Sequence, residues 1–283
     1  MSKLLKEVPL AANELKIVLT AVKNGEKNWK DEQKDTIVRS MLEHIGSTDS
    51  ELRDLLIYQM FYELIIHNQL ENERLSKILE YCLSEQLLFK GIGEVGTDTV
   101  FTRSFTTLVI ALIIYRDNAD NFLSKEKLEE TRNKLLHYID LEKDVRGFVP
   151  EKGWAHSIAH AADAFDELVK NRKIKPMYYF NILHAIWNKI DCSTSVYIHD
   201  EDERMINPII AMLTKGLPVE AIEQLLQQLP EKLSNHQKQL EEENYWFLVA
   251  NWKSFLKSFY MKLIDYPQWG SLQQLIIKHL LDM

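Results

Sequence analysis

Apolar residues recur at helical spacing along almost the whole chain, and that periodicity limits the fold more than any other feature. Leu75, Ile78, Leu79, Cys82 and Leu83 follow the i, i+3, i+4, i+7, i+8 pattern of one helix face. Ile37, Val38, Met41, Leu42 and Ile45 repeat it, as do Leu15, Val18, Leu19 and Val22, and Ile222, Leu225, Leu226 and Leu229. A long final stripe runs through Leu248, Trp252, Phe255, Phe259 and Leu263. No segment alternates with period two between hairpin turns. The 283 residues hold only 9 Gly and 7 Pro, too few for a turn-rich sandwich or barrel. An all-α chain follows.

Turn signals divide the chain into helices near 11–23, 33–45, 49–68, 72–89, 98–116, 125–140, 154–170, 177–190, 200–214, 219–233, 239–264 and 270–281. Thr48 and Glu51 have capping-box spacing, and Ser124 can cap the helix that follows it. Helices joined by short connections pack as antiparallel hairpins, here about six pairs by the periodicity count. The expected architecture is a HEAT-like α-solenoid, a single elongated helical-repeat domain over 1–283. Its parts are N-terminal hairpins at 1–97, polar-site hairpins at 98–214 and capping hairpins at 215–283. A closed α/α toroid uses the same elements and stays open as the alternative.

The charge balance of 34 basic against 42 acidic residues, net −8, excludes a broadly basic nucleic-acid surface. The longest apolar run, Leu108–Tyr115, is shorter than the roughly 20 residues of a membrane span. Lys3 and Lys6 precede no apolar leader segment. Cys82 and Cys192 lack a CxxC partner and read as free thiols of a reducing compartment, so a cytoplasmic setting is expected. No membrane or nucleic-acid partner is expected. The partner is a protein or a small molecule.

The most informative segment is Gly153-Trp154-Ala155-His156-Ser157-Ile158-Ala159-His160-Ala161-Ala162-Asp163. On a helix starting near Trp154, His156, His160, Asp163 and Glu167 share a stripe. Two imidazoles at i, i+4 have the spacing of helical metal sites, with Asp163 as a third ligand or an orienting group, so a divalent metal ion is a candidate cofactor. Ser157 stands where HExxH carries its glutamate, so a zinc-protease reading has no support. A polar helix face with hydrogen-bonded histidines is the plainer reading. Trp154 can stack on a ligand ring, although aromatics at helical spacing usually pack in cores.

Val100-Phe101-Thr102-Arg103-Ser104-Phe105 and Asp144-Val145-Arg146-Gly147-Phe148-Val149, together with that histidine segment, closely resemble an uncharacterised bacterial family, domain-of-unknown-function family 2785. Glu201-Asp202-Glu203-Arg204 resembles the family's acidic-arginine segment. The resemblance implies a bacterial cytosolic helical protein. It carries over no catalytic residue.

Arg103 sits among Val100, Phe101, Phe105 and Leu108, where its permanent charge needs a carboxylate, an anionic ligand or water. An ion pair with Asp144 or an acid in 200–203 is the bland reading. His199 to Arg204 places four acids at a helix start, which the helix dipole favours. Asn207-Pro208 then either begins the true helix or kinks a continuous one. The polar starts Asp98–Arg103, Trp154–Asp163 and Asp200–Arg204 are first members of successive hairpins, so they are expected to meet in one concavity. Three functions fit. The first is a binding or interaction module with ligand residues Arg103, Trp154, His156, His160, Asp163, Glu201, Asp202, Glu203 and Arg204. The second is a metal-dependent hydrolase built on His156, His160 and Asp163. The third is a sugar-processing toroid with Asp163 and Glu201 flanking the substrate.

Overall fold

A computed structural model describes residues 7–29 and 33–283. The leader reading at Lys3 and Lys6 lies outside them. The described chain is all-α apart from one two-stranded ribbon. It divides into two compact units, 1–164 and 165–283, with the division inside one helix.

The first unit holds α1 (Ala12–Lys23), α2 (Lys34–Glu43), a π-helix (Glu51–Tyr58), α3 (Gln59–Ile66), α4 (Asn72–Cys82), α5 (Thr99–Asp120) and α6 (Lys125–Leu141). The ribbon of β1 (Phe148–Val149) and β2 (Gly153–Trp154) follows, and then α7 (Ser157–Lys170) begins. α5 is the central rod and packs on α3 and α4. It is buried along most of its length, and 89% of its most apolar stretch lies inside. Among the described residues it is the one helix long and apolar enough to cross a membrane, and it forms the core of its unit. It outruns the Leu108–Tyr115 run because Thr102, Thr106 and Thr107 are buried too, with Thr106 and Thr107 bonding carbonyls of the preceding turn. Gly46 lets α5 approach closely, since a Cβ there would lie 2.6 Å from the Thr102 backbone nitrogen.

The second unit holds α8 (Tyr179–Ile190), α9 (Glu201–Thr214), α10 (Val219–Gln227), α11 (Leu229–Gln239), α12 (Glu242–Leu263) and α13 (Gly270–Asp282). α12 packs against α8, α9, α11 and α13. Its stripe of Trp252, Phe255, Phe259 and Leu263 is fully buried, and Trp187 of α8 meets Trp252 edge-on at 5.2 Å. Trp252 thus sits at the centre of the second unit's core.

Several boundaries differ from the periodicity. The span near 72–89 ends as helix at Cys82 and continues as turns, although Leu87 and Leu88 stay buried. The span near 219–233 breaks before Pro230, which takes a first-turn position of α11. Asp49, not Thr48, caps the helix at 51: its Oδ1 accepts from the amides of Glu51 (3.0 Å) and Leu52 (3.2 Å). Ser124 caps α6 as expected, accepting from the Lys127 amide at 3.1 Å.

Candidate functional site

The segment from Glu142 to His156 is an extended strap laid against the start of α5. Phe148 pairs with Trp154 and Val149 with Gly153. The ladder continues from the Ala155 amide to the Gly147 carbonyl (2.8 Å) and from the His156 amide to the Arg146 carbonyl (3.0 Å). Its turn needs left-handed backbone at Glu151 (φ 66°) and Gly153 (φ 81°). A Cβ on Gly153 would also press to 3.0 Å against Arg53 Nη2 and Ser50 Cβ. Beneath the strap, Ala155 and Val149 pack on Val100 and Phe101.

Three arginines hold this strap. Arg103 is fully buried and grips the buried Glu142 carboxylate bidentately, Nε to Oε2 at 2.6 Å and Nη2 to Oε1 at 2.9 Å. Its Nη1 donates to the Lys90 and Gly91 carbonyls and to Thr99 Oγ1. Burial works to lower the Arg103 pKa, but the Glu142 carboxylate outweighs it, and the net shift is upward. Arg146 grips the buried Asp144, which also accepts from the Gly96 amide at 3.0 Å. Arg53 donates to the carbonyls of Ser47 (2.6 Å) and Lys152 (2.7 Å) while its guanidinium covers the Phe101 and Phe105 rings. Burial pulls its pKa down, yet an arginine stays charged at neutral pH.

The partner of Arg103 is therefore Glu142, not Asp144 or an acid of 200–203. Glu142 follows the last turn of α6 and carried no motif. Arg53 and Ser104 were missed as well. The one available signal for Arg53 was a lone cation within an otherwise apolar stripe of Leu52, Leu56 and Ile57.

The histidines sit where the strap enters α7. This helix begins at Ser157, so His156 is not within it, because the ribbon claims Gly153 and Trp154. His156 adopts φ 50° and supplies the carbonyl that accepts the His160 amide at 2.9 Å. The buried Ser104 hydroxyl donates to the Ala155 carbonyl and lies 2.7 Å from His160 Nδ1. Its only proton is committed to that carbonyl, so His160 Nδ1 must be the donor to Ser104. The neutral ring then carries its lone pair on Nε2, the nitrogen that can accept a proton or ligate a metal ion. Ser104 thereby orients an imidazole and is no exposed nucleophile. The rings form a chain: Phe148 to Trp154 at 5.0 Å, Trp154 to His156 at 4.5 Å, His156 to His160 at 5.7 Å and His160 to Phe105 at 5.3 Å. Its outer end is open, with Phe148 47% and Trp154 41% exposed. Asp163, one residue before the end of the first unit, is half-buried on α7.

In the second unit, the loop 191–200 leads into α9. The buried Asn251 of α12 holds it: Oδ1 accepts from the Tyr197 amide (2.8 Å), and Nδ2 donates to the carbonyls of Cys192 (2.8 Å) and Ser195 (2.9 Å). Trp252 Nε1 donates to Asp191 Oδ1 at 2.8 Å. Asp200 turns the chain at φ 63°, and α9 runs unbroken through Pro208. Glu201 is buried and accepts from the His199 amide, and burial pushes its carboxyl pKa up. Asp202, also buried, accepts the hydroxyls of Ser254 (2.9 Å) and Ser258 (2.7 Å). Glu203 and Arg204, with Asn207, Lys257 and Lys262, line an open groove of about 580 Å³ beside α12.

Within the first unit, the segments around Arg103 and His160 join through Ser104 and the strap. The acidic start belongs to the second unit.

The described residues, helical throughout but for one ribbon held by three arginines, define a helical protein with an aromatic tip. The family model described as Protein of unknown function (DUF2785) matches residues 88–261, more than half of the chain, and the chain belongs to that family. No curated protein and no solved structure matches it.

Proposed function

We propose that this chain is a binding module whose recognition surface is the ribbon tip carrying Phe148 and Trp154. The observation that supports this is the pairing of two half-exposed aromatic rings with a strap fixed by Arg53, Arg103 and Arg146. Rigid aromatic side chains offer large contact area at little entropic cost, which is the usual make-up of an interface anchor. The partner is a protein in the bacterial cytoplasm. Net charge −8 disfavours nucleic acid, and the free thiols Cys82 and Cys192 suit a reducing compartment. Packing of successive helices on each other, such as α8 on α9 and α12 on α13, supports a helical-hairpin, HEAT-like arrangement.

The test is a stoichiometric pull-down with the full chain, repeated with Phe148→Ser/Trp154→Ala. The reading requires one protein partner that the double variant loses by tenfold or more. A partner retained undiminished, or none at all, would sink it.

A metal-dependent hydrolase is the second reading, favoured by the tautomer that Ser104 imposes on His160. His160 Nε2 would be a ligand, with His156 and Asp163 the further candidates. Protein prepared with abundant zinc or manganese should then hold near-stoichiometric metal that His160→Ala abolishes. Metal-free wild-type protein would end this reading.

A further inference from the structure

We draw no further inference here: the strongest candidate, the open groove between α9 and α12 in the second unit, is lined by exposed side chains of both charge signs, Asp200, Glu203 and Asp265 beside Lys257 and Lys262, and nothing in the structure shows what covers it.

Discussion

Two irregular segments lead into helices in this chain, and they are held by different balances of charge and neutral hydrogen bonding. The strap 142–156 is tied by charge: Arg103 on Glu142, Arg146 on Asp144 and Arg53 over two phenyl rings. The loop 191–200 is tied mainly by neutral groups, the amides of Asn251 and Asn244 and the Trp252 indole N–H, with one charge pair of Asp191 and Lys232 at its start. A buried amide makes its hydrogen bonds without a desolvated charge. A buried ion pair gains little over a hydrophobic pair, but removing one member strands the other. The two segments should therefore differ in how they fail.

The largest effect is expected at Arg103. Arg103→Leu leaves the buried Glu142 carboxyl without its cation, and should destabilise by about 3–5 kcal/mol in urea denaturation. Adding Glu142→Leu to that variant should recover much of the loss, because the stranded carboxyl is then gone. A double variant no better than the single one would mean that the pair does more than balance charge, and the contrast with the loop would weaken.

Asn251 comes next. Asn251→Ala removes three hydrogen bonds from a buried cluster and should cost about 2–3 kcal/mol. Asn251→Asp is the sharper probe, since it keeps the acceptor for Tyr197 but sets an oxygen against the Cys192 and Ser195 carbonyls. It should be at least as damaging as alanine. If it is not, the loop has another support.

These ties also mark what the sequence could disclose. The stripe Leu75–Cys82 became α4 because period 3.6 is set by a core on one side, and that is visible in one segment alone. The ribbon was invisible, since strands of two residues carry no period and exist only through a ladder extending to Ala155 and His156. Taking Gly153 and Trp154 into it moved the start of α7 to Ser157 and left His156 at the junction. Arg103 was recognisable as a buried cation in need of a partner, but the choice of Glu142 over Asp144 depends on where α6 ends. The π-helix left no trace, because its wide turns come from tertiary packing and not from a distinct residue pattern.

Glu201 offers a smaller test through pH. Burial raises its folded carboxyl above the ordinary value of 4.5, so the neutral form suits the fold. Its stabilising contribution is complete below the unfolded value and is lost as pH rises through the folded one. Glu201→Gln keeps the neutral form at every pH, so its melting temperature relative to wild type should climb between pH 4.5 and 7. A difference that stays flat across that range would show that the carboxylate is compensated where it lies.

The smallest stability effect is expected at Trp154, and it separates what the strap is held by from what it displays. Trp154 is 41% exposed, and its ring meets those of Phe148 and His156. Its removal forfeits aromatic pairs worth about 0.5–1.5 kcal/mol each, discounted by exposure, while every arginine tie beneath stays in place. Trp154→Ala should therefore shift the urea midpoint by less than a quarter of the Arg103→Leu shift, yet on its own it should account for most of the partner loss seen with the double tip variant. A large destabilisation with unchanged partner capture would reverse the assignment, making Trp154 part of the clamp and leaving Phe148 as the anchor.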